Sequence, residues 1–265
     1  MNPYAERVDY GPVRFLHRLN PLAKIGAVLP AMALLLFARD ITTPLAFIGL
    51  TLVIVLVGAH LGWKALVALL LGLPLAVALI SLSVGAWSDP SQVDRSTLLF
   101  SIGDYRFYAG SYVLGLTTTL RLASVFVLAL IAAYTSTGPD LVRAMVQQLR
   151  VPYRIGYTAL AAYRFVPRFG YELGVIRAAH RVRGMAGGRG PIAGARRYLG
   201  YVIPLLAGAI RHAERVALAM DSRAFGAHRS RTERYLVPFR ARDWVFLLTF
   251  WAATAALRLL TLESS

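Results

Sequence analysis

The 265-residue sequence contains no cysteine and few charged residues. The absence of cysteine excludes thiol catalysis, disulfide bonds and cysteine-ligated metal, and it leaves the compartment open. Charged residues make up 16% and apolar residues 57% of the chain, whereas soluble domains have about 25% and about 45–50%. The mean hydropathy is +0.56. This composition predicts a polytopic membrane protein.

The sequence also lacks an ATP-binding motif. The glycine-rich stretch Gly187-Gly188-Arg189-Gly190 has no preceding strand and no Lys-Ser/Thr ending, so we interpret it as a turn. Candidate catalytic or metal-binding side chains do not have the spacing of a metal or magnesium site. They are Asp89, Asp94, Asp104, His180, His212 and His228. If the protein uses ATP, it must therefore obtain that energy from a partner.

The net charge of +16 arises from basic residues that are concentrated in one region. From Asp40 to Gly138 there are four Lys or Arg, whereas Pro139 to Arg242 contains 19 Arg against five acids. A basic stripe on a soluble fold would suggest nucleic acid, but here charge alternates with membrane-length apolar runs. For a multi-pass protein of the plasma membrane, the positive-inside rule predicts that the N-terminus and residues 139–240 are cytoplasmic. Nucleic acid is therefore not expected as a partner.

Five apolar segments predict an all-α membrane helix bundle with about five crossings. They cover residues 22–38, 44–59, 64–86, 110–136 and 244–262. The first two are short for a hydrocarbon core that needs about 20 residues, so they extend at the interfaces or pair as a tight hairpin. Asn20 and Pro21 predict the start of the first helix. Residues 87–109 are predicted to form an extracytoplasmic loop with a small hairpin around Gly103-Asp104.

These segments suggest three domains, namely an N-terminal membrane bundle (1–138), a cytoplasmic coupling-helix region (139–240) and a C-terminal transmembrane helix (241–265). Apolar residues recur at helical spacing in the cytoplasmic region. They predict helices over 139–150, over 153–183 with an interruption at Pro167, and over 191–224 with a bend near Pro204.

Each long cytoplasmic helix ends in an arginine beside an apolar face, Arg183 in the first and Arg223 in the second. The apolar stripe that precedes Arg223 consists of Leu206, Ile210, Ala213, Val216, Ala217 and Met220. Gly184 and Gly226 are expected to be the left-handed residues that end the two helices. By physical chemistry alone, an arginine in this place more often caps its helix beside solvent than binds a partner.

Five sequence pieces between residues 136 and 226 resemble the transmembrane (T) component of energy-coupling factor transporters, the family that includes cobalt and biotin transporter permeases. The pieces are Ser136–Leu141, Leu149–Pro152, Tyr163–Pro167, Ala179–Gly184 and Ala219–Gly226. The family's arginine signatures, typically Ala-Arg-Gly or Ala-Arg-Ser, appear here as Val182-Arg183-Gly184 and Ser222-Arg223-Ala224. The stretch Leu16–Lys24 is similar to the family's N-terminal signature, with Asn20 in place of the usual Asp.

The resemblance implies that the chain couples ATP hydrolysis by two cytoplasmic ABC-type ATPases to reorientation of a membrane substrate-binding (S) component, for vitamin or metal-ion uptake. It implies that the ATPases bind ATP, whereas this chain binds no cofactor and is not an enzyme. It also implies that the chain is embedded in the lipid bilayer. The residues implied in ATPase coupling are Arg183, Arg223, Gly184, Ala224 and Gly226, and those of structural motifs are Asn20, Pro21, Pro139, Arg164 and Pro167.

Two other functions stay open. One is a membrane-bound enzyme acting on a lipid or isoprenoid phosphate, whose headgroup the basic region would hold. The other is a membrane-anchored nucleic-acid binder, for which residues 139–240 should show salt-dependent binding to DNA or RNA. The transported substrate is not expected to be encoded in this chain, because a separate S component would recognise it.

Overall fold

The computed structural model describes residues 14–38, 40–87, 97–102, 105–184, 190–228 and 232–263. The chain divides into two compact units, a membrane bundle of residues 6–137 and 238–265 and a second unit that contains residues 138–237. The C-terminal helix therefore belongs to the same unit as the N-terminal helices. The predicted functional division into three domains stays a prediction.

The bundle is helical, and this confirms the predicted fold class. Its helices are α1 (Pro21–Leu36), α2 (Thr42–Gly58), α3 (Trp63–Val67), a π-helical turn (Ala68–Gly72), α4 (Leu73–Ala86), α5 (Ala109–Thr135) and α9 (Ala241–Glu263), preceded by a 3-10 turn (Phe15–Arg18). Three stretches of the described chain are long and apolar enough to cross a membrane, namely Trp63–Ala86, Ala109–Thr135 and Ala241–Thr261. The helices α1 and α2 are apolar but shorter.

The predicted start of α1 is confirmed. The Asn20 side chain accepts a hydrogen bond from the Leu22 amide at 2.9 Å, and Pro21 is the first helical residue. This arrangement suits both residues, because the Asn oxygen satisfies a free amide and Pro lacks an amide that would need a partner.

The membrane helices alternate in direction between two ends of the bundle. At the proximal end, where α1 and α9 begin, the Lys24 ammonium lies against Thr135 at the end of α5, and the His60 amide after α2 donates to His17. At the distal end, Arg258 near the end of α9 lies 3.7 Å from Asp40, which precedes α2. Five alternating runs follow from these contacts, as the five apolar segments predicted.

The short helices α1 and α2 do not form an isolated hairpin, because α1 packs mainly against α5 and α9, and α2 against the same two helices. Their connection is held at the distal end by Asp40, which accepts hydrogen bonds from the Thr42 hydroxyl (2.8 Å) and the Thr43 amide (2.7 Å). Burial raises the pKa of Asp40, but hydrogen bonds from Thr43 and Thr42 outweigh burial and lower this pKa to about 2.

The bundle has a buried core to which most of its helices contribute. The core residues include Leu16, Ala27, Val28, Leu35, Phe47, Val55, Leu128, Ile131, Phe246 and Phe250. The helices α4 and α5 approach each other closely at Gly115. A Cβ atom there would meet the Ser81 carbonyl oxygen and lie 2.7 Å from the Gly85 nitrogen, so this crossing requires glycine.

Between α4 and α5 the chain forms the small hairpin that the sequence predicted. Its antiparallel strands are β1 (Leu98–Ile102) and β2 (Tyr105–Tyr108), with Ile102 opposite Tyr105. The predicted turn residues Gly103 and Asp104 lie outside the described residues, as do Asp89 and Asp94.

The described part of the 138–237 unit contains α6 (Gly138–Gln148), α7 (Tyr153–Val182) and α8 (Pro191–Asp221), and its residues 232–237 have no regular secondary structure. The predicted interruption at Pro167 is wrong, since α7 continues through it as one helix, and α8 likewise continues through Pro204. A proline inside a helix removes one backbone hydrogen bond without necessarily ending the helix.

Candidate partner-coupling site

The two long helices α7 and α8 lie antiparallel along one another. The Phe165 ring stacks on His212, with centroids 4.4 Å apart. Farther along α7, the His180 ring meets Tyr201 edge-on at 5.1 Å, so the numbers on α8 fall as those on α7 rise. Aromatic contacts thus engage both histidine rings, and the helices form one paired element.

This antiparallel arrangement places the two predicted coupling arginines at opposite ends of the helix pair. Arg183 directly follows the last residue of α7, whereas Arg223 follows the end of α8, beside the beginning of α7. Because α7 has 30 residues, the two ends are about 45 Å apart at 1.5 Å per residue. Both arginines are exposed.

The backbone holds both arginines in the same local context, because each directly precedes a residue with positive φ. Gly184 has φ +69° and Ala224 has φ +53°. At the end of α8, the Ala224 amide donates to the Asp221 carbonyl (2.9 Å) and the Phe225 amide donates to the Met220 carbonyl (3.0 Å). This pair of bonds is a Schellman motif.

The prediction that Gly226 is the left-handed cap of the second helix is therefore wrong. The motif closes on Ala224, and Gly226 adopts its own positive φ of +92° two residues later. An alanine in this conformation costs about 1–2 kcal/mol relative to a right-handed one. The reason for the wrong assignment is that glycine is the usual residue at this place, and the sequence offers none until Gly226.

The end of α8 that carries Arg223 is braced by the start of α7. The Arg154 guanidinium donates to the Gly226 carbonyl, and the Tyr153 hydroxyl donates to the His228 carbonyl at 2.6 Å. The Tyr153 ring also packs edge-on against Phe225, with centroids 5.6 Å apart. These contacts fix the backbone on which Arg223 stands.

An apolar stripe on α8 faces away from α7. Leu199, Ile203, Leu206 and Ile210 are 69%, 76%, 56% and 60% exposed, and their spacing of four, three and four residues forms one face of a helix. The contacts with α7 use Tyr201 and His212, on the other side of α8. This stripe begins nearer the start of α8 than the predicted stripe, which begins at Leu206. Leu199 and Ile203 have the spacing of the same helical period but are not part of the prediction.

The remaining motif residues lie away from the two arginine ends. Pro139 is the second residue of α6, and the exposed residues Arg164 and Pro167 lie near the middle of α7. The helix α6 packs on α7 at Gly156, which meets the Val146 side chain. The Gln147 side chain holds residues 235–237, because it donates to the Tyr235 carbonyl and accepts from the Val237 amide, both at 2.9 Å.

Sequence comparison relates this architecture to transport proteins. Residues 12–234 match the family described as CbiQ, cobalt transport protein. The chain is 22% identical over 244 residues to the energy-coupling factor transporter transmembrane protein EcfT of Streptococcus equi subsp. equi (strain 4047), covering 88% of this chain and 87% of that protein. It is 27% identical over 242 residues to EcfT of Acidaminococcus fermentans, with coverages of 86% and 85%.

A different kind of relative is a putative ABC transporter ATP-binding protein of Bifidobacterium longum (strain NCC 2705). The chain is 26% identical to it over 254 residues. The matched region covers 91% of this chain but 32% of that protein. The relatives that match along most of their own length are named as transporter transmembrane proteins rather than as enzymes.

Proposed function

Because the chain belongs to the CbiQ cobalt transport protein family and is a multi-pass transmembrane component of the energy-coupling factor transporter type, we propose that it transmits ATP-driven movement from two cytoplasmic ATPases to a membrane S component. The S component would recognise a vitamin or metal ion and would change its orientation in the membrane. This chain would then act as a mechanical coupler and not as an enzyme.

The observation that carries this proposal is the position of Arg183 and Arg223 at opposite ends of one antiparallel helix pair. Two equivalent ATPases need two separate contact points, and ends about 45 Å apart can each reach one subunit. Planar guanidinium groups bind carboxylates bidentately, so each ATPase would offer acidic residues in a groove. Gly184, Ala224 and Gly226 would shape the chain directly behind each arginine.

ATP would be bound by the partner ATPases and not by this chain. The similarity to a protein named as ATP-binding supports this association, because the region matching this chain makes up about a third of that protein. In that relative, a coupler-like region and the remaining two thirds of the sequence belong to one polypeptide. For this chain we propose that the ATPases are separate subunits.

We further propose that residues 138–237 are cytoplasmic and that the apolar stripe of α8 lies at the membrane surface. Arg211 and Arg215 flank that stripe and are exposed, and a helix with so many charges cannot span a bilayer. The chain has no cysteine, so single cysteines at positions 211 and 215 can be labelled without background. A membrane-impermeant maleimide should react from the cytoplasmic side, and protection from both sides would exclude this orientation.

The function itself is tested by reconstitution into liposomes. The chain should co-purify with two ATPase subunits and a small membrane protein, and uptake should require ATP and all of these components. Cobalt ion is a suitable first probe because it appears in the family description. If the purified chain alone converts a lipid or isoprenoid phosphate, the coupler is the wrong function and a membrane-bound enzyme is the right one.

A further inference from the structure

The chain passes between its two units at two points, and both lie beside one buried polar cluster of the bundle. The first of these crossings between the units follows Thr137, and the second precedes Pro238. Thr135 is two residues before the first crossing, and Asp243 is in the first turn of α9, five residues after the second. A third segment, the N-terminal stretch Leu16–Lys24, contacts both of them.

Lys24 forms the first arm of this cluster. Although Lys24 is only 1% exposed, its ammonium group donates to the Leu16 carbonyl (3.1 Å), the Thr135 carbonyl (3.0 Å) and the Thr135 hydroxyl (2.9 Å). These three bonds use all three donors of an ammonium group. The Thr135 carbonyl is also at the negative end of the α5 dipole, which favours a cation.

Asp243 forms the second arm, with 1% exposure. One carboxylate oxygen accepts from the Asn20 amide and the other from the Arg240 amide, both at 2.7 Å. The Asn20 side-chain amide in turn donates to the Pro238 carbonyl at 3.5 Å. The first residues after the second crossing are thereby tied to the beginning of α1.

We propose that this cluster of Asn20, Lys24, Thr135 and Asp243, the junction clamp, positions both crossing segments so that movement of the 138–237 unit reaches α1, α5 and α9. Buried charges tolerate little displacement, because losing one partner leaves a desolvated group unpaired. A pull on either crossing segment therefore moves the helices that share the clamp. Without the clamp, the same pull would be absorbed in the segments themselves. The inference rests on the proposed function as an ATP-driven coupler.

The test measures transmission directly and needs neither substrate nor S component. The complex of the full chain with its ATPases is compared by hydrogen–deuterium exchange in the presence of ADP and of a non-hydrolysable ATP analogue. In the wild type, nucleotide should change exchange in α7 and α8 and also in α1 and α9. In Lys24→Met, the change in α7 and α8 should persist, whereas the change in α1 and α9 should be lost. A purely structural role would raise exchange equally with both nucleotides.

Lys64→Met is the matched control, because Lys64 is the other lysine of the chain, is exposed and is the second residue of α3. It should transmit as the wild type does. Thr135→Val removes one of the three acceptors of Lys24, and Asp243→Asn weakens the other arm of the clamp. Both variants should therefore reduce transmission in part. They test the clamp if Lys24→Met does not fold.

The outcomes separate the two proposals. If nucleotide leaves exchange in wild-type α7 and α8 unchanged, the coupler function itself fails. If wild-type transmission is present and the clamp variants retain it in full, the junction clamp is overturned.

Discussion

The membrane bundle has a buried interior, whereas the described part of the 138–237 unit has almost none. The bundle buries large apolar side chains such as Phe47, Leu128 and Phe250, together with the charged groups of Lys24 and Asp243. Among the described residues of the second unit, those that are buried are Ala144, Gly156, Leu160 and Val237. In α8, no residue from 193 to 221 is buried.

This difference indicates that the two units obtain their stability from different sources. The bundle's helix contacts are internal, and lipid covers its outward apolar side chains. The second unit pairs its long helices through ring contacts, joins the start of α7 to the chain after α8 by hydrogen bonds, and leaves an apolar stripe outside. Large exposed apolar surfaces mark sites for partners or membranes. Substitutions in the core of the bundle should therefore change stability, and those at the arginine ends and the apolar stripe of the second unit should change assembly.

The largest effect is expected from removing both coupling arginines. If each arginine is buried against acids in an ATPase groove, its loss leaves those acids desolvated and unpaired, at a cost of roughly 2–5 kcal/mol per contact. Arg183→Ala and Arg223→Ala should each weaken ATPase association and abolish coupled transport, and the double variant should not form the complex. Pull-down of tagged ATPases measures this.

The neighbouring arginines provide the controls. Arg181→Ala and Arg215→Ala remove the same charge near the same helices and should change little. Lysine should replace Arg183 or Arg223 poorly, because it lacks the planar fork that binds a carboxylate bidentately. If the double variant binds ATPases at wild-type yield and transports normally, both arginines are ordinary helix caps, worth about 0.3–1 kcal/mol.

The difference in burial between the two units is tested by a leucine-to-alanine substitution made once in each unit. Leu128 in α5 is 0% exposed and Leu218 in α8 is 68% exposed. Leu128→Ala leaves a cavity and should cost about 2 kcal/mol or more. Leu218→Ala should change unfolding by no more than about 0.5 kcal/mol. Thermal unfolding in detergent measures both, and equal losses would show that the second unit has an interior after all.

A second matched pair uses glycine. A Cβ at Gly115 meets the α4 backbone, whereas one at Gly174 in α7 meets nothing within 4 Å. Gly115→Ala should therefore destabilise the bundle by about 1–3 kcal/mol through overpacking. Gly174→Ala should stabilise α7 by about 0.5–1 kcal/mol, because alanine is the better helix former. Opposite signs in the same unfolding assay are the expected result.

Much of this architecture could be predicted from the sequence, because it depends on local signals. Apolar run length predicts the membrane helices, Asn20-Pro21 predicts the start of α1, and the helical period predicts α7 and α8. Contacts between distant residues could not be predicted in this way. Lys24 and Thr135 are separated by 111 residues, and Asn20 and Asp243 by 223. A lone lysine inside an apolar helix was the available signal, since such residues usually have a functional partner.

The arrangement of the two coupling arginines could likewise be predicted only in part from the sequence. Arg183 and Arg223 could be found from their place at helix ends, and their separation follows from an antiparallel pairing that periodicity does not specify. The period of the α8 stripe was visible, but its orientation away from α7 depends on which rings stack between the helices, such as Phe165 on His212.

A small and local effect is expected at the turn behind Arg223. Ala224 adopts φ +53°, which costs an L-residue about 1–2 kcal/mol, whereas glycine adopts it freely but loses about 0.4–1 kcal/mol through greater freedom when unfolded. Ala224→Gly should thus stabilise the end of α8 by up to about 1.5 kcal/mol. It should also slow hydrogen exchange of the amides of residue 224 and Phe225, whose bonds close the Schellman motif. Ala217→Gly, the same change inside α8, should have the opposite sign and cost about 1 kcal/mol. If both variants speed exchange alike, residue 224 is not left-handed, and Arg223 does not share the backbone context of Arg183.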